Sequence, residues 1–245
     1  MSLPLETILA PTTTSRRPAF ARLGATAVVG AAVFAALVGI FWVAPEESTM
    51  GPAQRIVYLH VASAWSSLCG SLALGLLGLL YLGGGHRRWD RAAQAAAEIA
   101  WLCSSLTLAT GSLWAHSAWG TWWTWDPRLT TTLILWLLLA GYFLVRGAID
   151  EPQRRARISA VLALLATADV PMVILATRWF RGIHPVTPAM DPRMRWVLLI
   201  SVLAFGTLFL FLGIMRWRQL NQVEKLIDDE LDASYDTLER PPCRT

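Results

Sequence analysis

Lysine is nearly absent from this chain: of its 21 basic residues only Lys225 is not arginine, a compositional bias. Charge of either sign is scarce too. Asp, Glu, Lys and Arg make up 16% of the 245 residues against 55% hydrophobic ones, with a mean hydropathy of +0.46. So little charge cannot clothe an ordinary soluble surface. Cysteine is limited to Cys69, Cys103 and Cys243. They form no Cys-x-x-Cys pair, no zinc-ligand spacing and no Cys-x-x-Cys-His site for covalent haem, and they read as small buried hydrophobes. No Walker A pattern occurs, so the chain is no ATPase by itself. No catalytic triad or metal-hydrolase spacing is present either.

What the chain does have is apolar length. Six runs are long enough to span a bilayer: Gly24–Val43, Ile56–Leu82, Ala92–Leu113, Leu129–Val145, Ile158–Thr177 and Trp196–Met215. The first follows Arg16, Arg17 and Arg22 but is too long for a signal-peptide core. With Trp42 and Val43 at its end it reads as a retained helix. Residues 1–23 form a polar N-terminal segment, 24–215 the membrane domain and 216–245 a charged tail. The tail reads as helical through Asp228–Leu231 and disordered beyond. Asp169 and Pro171 interrupt the fifth run, and the proline predicts a kink. Asp169 and Glu98 are ionisable groups in apolar runs, expected to face the bundle interior. Asp169 is expected to pair with an arginine or to bond freed backbone amides.

The net charge of +4 and the pI near 9.3 do not indicate nucleic acid, because the basic residues follow topology. Six spans place 15 of them on the side of the termini and 6 on the other. The positive-inside rule therefore sets both termini in the cytoplasm, with loops 44–55, 114–130 and 178–195 facing outward.

The middle outward loop holds the densest feature of the chain, Trp119-Gly-Thr-Trp-Trp-Thr-Trp-Asp-Pro-Arg-Leu-Thr130. Four of the 13 tryptophans lie within seven residues there. A lone tryptophan at a helix end, such as Trp42, Trp89, Trp196 or Trp217, is an ordinary interfacial anchor. Four together build an aromatic platform. Asp126 is placed to cap the fourth helix, with Pro127 in its first turn.

The same topology brings His60, one turn inside the second helix, and His184, in the third loop, to the tryptophan side. Two imidazoles flanking an aromatic platform suit a planar metal macrocycle, since haem iron takes axial ligands from opposite faces. Arg55, Arg128, Arg178 and Arg181 lie on that side too. Their planar forks suit propionate carboxylates. His116 shares the side and is a rival ligand, whereas His86 reads as a solvated loop residue.

The tryptophan-rich segment resembles the WWD signature of membrane proteins that handle haem in cytochrome c maturation. The chain as a whole, with six spans, one histidine before the signature and one after it, is similar to the haem exporter protein C (CcmC) family. Trp136-Leu-Leu-Leu-Ala-Gly-Tyr142 adds to the likeness. The larger haem lyase relatives carry more spans and further histidines. The resemblance implies an all-α, six-helix protein of the bacterial inner membrane that is not an enzyme. It implies non-covalent haem b at the periplasmic face, with His60 and His184 as iron ligands. Trp119, Trp122, Trp123 and Trp125 would form the platform, with Trp114 adjacent and Asp126 and Arg128 completing the signature. It implies delivery to the haem chaperone CcmE, aid from CcmD, and association with CcmA and CcmB in an ABC-type complex. A haem-translocating permease subunit and a purely structural assembly subunit are the alternatives.

Overall fold

The computed structural model describes residues 17–48, 50–180, 182 and 190–239. Six long helices carry the fold: α1 (Arg17–Val38), α2 (Ile56–Gly84), α3 (Arg87–Trp119), α4 (Pro127–Ala148), α5 (Pro152–Trp179) and α6 (Pro192–Glu239). A π-helical turn, Gly39–Val43, ends α1, and a 3₁₀ turn, Pro52–Arg55, leads into α2. The described residues contain no strand, only an isolated bridge between Glu47 and Gly51.

Five segments are long and apolar enough to cross a membrane: Phe20–Val43, Pro52–Gly84, Pro127–Ala148, Pro152–Trp179 and Pro192–Tyr235. α3 falls short on composition. It carries Arg87, Arg88, Asp90, Arg91 and Glu98, and alanine and serine replace leucine over much of its length. It needs less apolar bulk because it is walled in by α2, α4 and α6.

α2 is the hub, packed against α3, α5 and α6, while α4 pairs with α5 and α1 lies on α6. Small residues permit this. A Cβ at Gly75 would overlap Thr167 Oγ1 of α5, and one at Gly78 would sit 3.3 Å from Ala163 Cβ. On the α3 side, Gly70 faces Ala100, where a Cβ would lie 3.1 Å from the alanine methyl. Close backbone approach of this kind drives helix association in lipid, where burial of apolar surface cannot. Hydroxyls add cross-links: Ser67 donates to the Ala100 carbonyl at 3.1 Å and Thr167 to that of Ser71 at 2.7 Å. The core around them includes Leu74, Leu135, Leu139, Tyr142 and Val170.

The helices outrun the apolar segments at their charged ends. α3 begins at Arg87 rather than Ala92, and the basic turn shrinks to Gly85 and His86, with Gly85 left-handed at φ +68°. α5 begins at Pro152, a position that suits a residue without an N–H. It then runs unbroken through Pro171. α6 continues to Glu239, so the expected disorder after Leu231 is corrected. Residues 216–239 hold no proline or glycine, and Pro241 and Pro242 follow in sequence.

These extensions are held by ions. Arg146 makes a two-pronged contact with Asp90 at 2.6 and 3.1 Å and donates to Gln94 at 2.8 Å. Arg216 grips Glu98 at 2.6 and 3.1 Å, and Glu224 pairs with both Arg87 and Arg91. Glu98 thus joins α3 to α6. Asp169 meets no arginine: its Oδ2 is buried without a hydrogen-bond partner among the described residues. The cysteine expectation holds for Cys103, which is buried, but not for Cys69, which lies on an outward face of α2. Cys243 lies outside the described residues.

Candidate functional site

The other end of the bundle is built by the tryptophan segment. α3 runs on to Trp119, so Trp114 sits on its last turns rather than in a loop. Gly120, at φ +70°, ends the helix in the left-handed conformation that other residues avoid, and its N–H returns to the His116 carbonyl. Six residues later Asp126 caps α4: its Oδ1 accepts from the Arg128 N–H at 2.9 Å, with Pro127 in the first turn. The Thr130 hydroxyl donates to the Asp126 carbonyl at 2.9 Å. The Asp-Pro-Arg-Leu-Thr part of the segment is therefore a helix start, rigid from its first residue.

Beneath it lies a cavity of about 280 Å³. Five of the residues singled out from the sequence line it: His60, Trp114, Trp119, Trp123 and Arg128. It runs down between the helices to Ser67, Leu68, Ser104 and Thr107. Eight residues from His60 to Leu68 amount to about 12 Å of depth. The lining is mainly apolar, and Arg128 makes no ion pair among the described residues.

His60 projects from α2 toward α3. Its Nδ1 lies 3.1 Å from Thr110 Oγ1, and the ring packs over Gly111, where a Cβ would come within 2.9 Å of Cε1. The imidazole is 6.2 Å from the Trp114 ring, which is in turn 5.2 Å from Trp119. Trp114 Nε1 donates to Met50 Sδ at 3.2 Å, tying the first interhelical loop to this wall.

The sequence profile described as "Heme exporter protein C", CcmC, matches residues 9–229. The chain belongs to the CcmC family. The Heme exporter protein C of Bradyrhizobium diazoefficiens is 35% identical over 184 residues, covering 71% of this chain and 69% of its own. That of Escherichia coli K12 is 33% identical over 200 residues, covering 78% and 80%. A putative cytochrome c biosynthesis ccmC-like mitochondrial protein of Marchantia polymorpha is 32% identical over 143 residues, covering 58% and 60%. Family and helices together make this a multi-pass membrane protein concerned with haem handling.

In this CcmC-family chain the tryptophans do not act as one flat platform. Trp114, Trp119 and Trp123 wall the cavity. Trp122 turns away and stacks on His116, with ring centroids 4.0 Å apart and planes within 6°. Trp125 is the most exposed of the group at 75% and meets Trp123 edge-on at 5.8 Å. The reason is the glycine cap: α3 ends between Trp119 and Trp122, so the two sides of the cluster belong to different local structures. His116 is thereby occupied as a stacking partner of the loop.

Arg55 is not brought to the cavity. It pairs with Glu46 at 3.5 Å and lies over the Phe41 ring at 5.6 Å. Arg178, in the last turn of α5, does not line the cavity either. His184 and Arg181 lie outside the described residues. Their neighbours are informative, however. Gly182 packs on Asp126, where a Cβ would clash with Oδ2, and Met190 lines the cavity beside His60. Met190 thus borders the cavity and Gly182 the Asp126 cap.

Sequence reasoning missed Trp65, Thr110, Gly111 and Met190. Trp65 lines the cavity five residues beyond His60 and is half exposed. Its place in a spanning run with a histidine was the one available signal. Thr110 and Gly111 carry none, being ordinary small residues in an apolar helix. No group of three or more His, Cys, Asp or Glu side chains gathers into a metal site among the described residues.

Proposed function

We propose that this protein binds haem b non-covalently at the periplasmic face of the bacterial inner membrane and hands it to the chaperone CcmE. In this reading the six helices all span, both termini are cytoplasmic and the tryptophan segment faces outward. The chain works beside CcmD, CcmA and CcmB in an ABC-type complex. The observation that carries the reading is the cavity in which His60, four tryptophans and Arg128 meet, in a chain of the Heme exporter protein C family.

The residues suit the cargo. A porphyrin needs apolar contact on its faces, a nitrogen ligand for iron and cations for its propionates. His60, the tryptophan wall and Arg128 supply one of each. His184 would supply the second axial ligand. At about 280 Å³ the cavity is just below the ~300–1,000 Å³ usual for ligand pockets. A macrocycle seated there keeps an edge outside, as transfer to a partner requires. The exposed Trp122 and Trp125 then belong to the surface met by that partner.

The test is the absorption spectrum of the protein purified with haem. A bis-histidine spectrum is expected, and His60→Ala or His184→Ala should abolish it and lower haem content. Unchanged haem content and spectrum in both variants refute the ligand assignment.

A further inference from the structure

The Thr110 hydroxyl has one proton, and its shortest contact is with the Leu106 carbonyl at 2.6 Å. The Thr107 carbonyl, at 3.4 Å, is a second acceptor for the same proton. With that proton held inside α3, the oxygen facing His60 Nδ1 at 3.1 Å can only accept. In that arrangement the hydrogen between them would belong to Nδ1, and a neutral imidazole would carry its lone pair on Nε2. Gly111 completes the seat. Any side chain there would enter the space of Cε1, so the ring lies against the α3 backbone and its plane is fixed.

We propose that Thr110 is the positioning residue for His60: it selects the Nδ1–H tautomer and so presents Nε2 to iron. This rests on the reading of His60 as an axial ligand. The device is the usual one at metal-bound histidines, whose other N–H is given to an oxygen that orients the ring and raises its basicity. The oxygen here belongs to a neutral hydroxyl, weaker than a carboxylate. That suits a site that must release its cargo.

The experiment uses the full chain in detergent with three variants, Thr110→Val, Thr110→Ser and His60→Ala. In the haem-free protein, ¹⁵N spectra of labelled histidine, assigned by the signal lost in His60→Ala, should show His60 protonated at Nδ1. In Thr110→Val that preference should disappear. Haem titration should then give binding about 10–100-fold weaker for Thr110→Val. The midpoint potential should rise, because a less basic imidazole stabilises the ferric state less. Thr110→Ser, which keeps the hydroxyl, should restore all three readouts. An Nε2–H tautomer in the unsubstituted protein overturns the proposal. Wild-type affinity and potential in Thr110→Val, with haem lost in His60→Ala, overturn the positioning role and leave the ligand reading standing. Haem and spectrum retained in His60→Ala overturn the ligand reading and the positioning role with it.

Discussion

A methyl group at position 111 would lie 2.9 Å from Cε1 of His60, well inside contact distance. The clash falls on the ring atom next to the Nδ1 that Thr110 holds, so the imidazole must tilt or leave. The same methyl should favour the helix by about 1 kcal/mol, because glycine is a poor helix residue. Gly111→Ala therefore separates site from fold. Its thermal melt in detergent should match or exceed that of the unsubstituted protein, while haem affinity falls at least tenfold. A parallel loss of melting temperature and affinity would mean that Gly111 serves packing alone. At this scale the sequence was only half readable. His60 and the tryptophans announce themselves by type and by crowding. Thr110 and Gly111 do not, because their importance lies in what stands opposite them on another helix.

At the scale of elements, the α2–α5 seam shows how lipid-embedded helices are joined without a hydrophobic driving force. Gly75 is its tightest point, where a Cβ would overlap the Thr167 hydroxyl that bonds to the Ser71 carbonyl. Gly75→Ala should thus cost about 1–2 kcal/mol net, an overpacking penalty offset partly by helix propensity. Gly141, with no atom within 4 Å of its would-be Cβ, is the matched comparison, and Gly141→Ala should be neutral or stabilising. Equal melting temperatures for the two variants would dismiss the seam. The apolar runs located the middle of every helix and the start of α2 at Ile56, but most of the other ends lie beyond them. Helices overran their runs wherever a charged residue found a partner across the bundle, as Arg91 does with Glu224 and Arg146 with Asp90. Linear hydropathy cannot see such pairs. The tryptophan loop was overestimated for the related reason that Trp114 and Trp119 are helical.

Across the whole molecule the two ends of the bundle are chemically opposite. One is laced by arginine–carboxylate pairs, Asp90 with Arg146, Glu98 with Arg216 and Glu224 with Arg87 and Arg91. The other has the cavity, the exposed tryptophans and few basic side chains. Alternating helices force this separation, so a single measurement orients everything. In the orientation proposed above from the positive-inside rule, the arginine-rich end is cytoplasmic and the cavity periplasmic. Single cysteines at Trp125 and Asp229 test it, placed in a Cys69→Ser, Cys243→Ser background with Cys103 left buried. Both positions are exposed, Trp125 in the loop and Asp229 on the α6 extension. In intact cells with a permeable outer membrane, a charged maleimide should label Trp125→Cys and spare Asp229→Cys until the inner membrane is opened. The reverse pattern would put the cavity on the cytoplasmic side. Labelling of both in intact cells would break the odd number of spans, α4, α5 and α6, that separates the two positions.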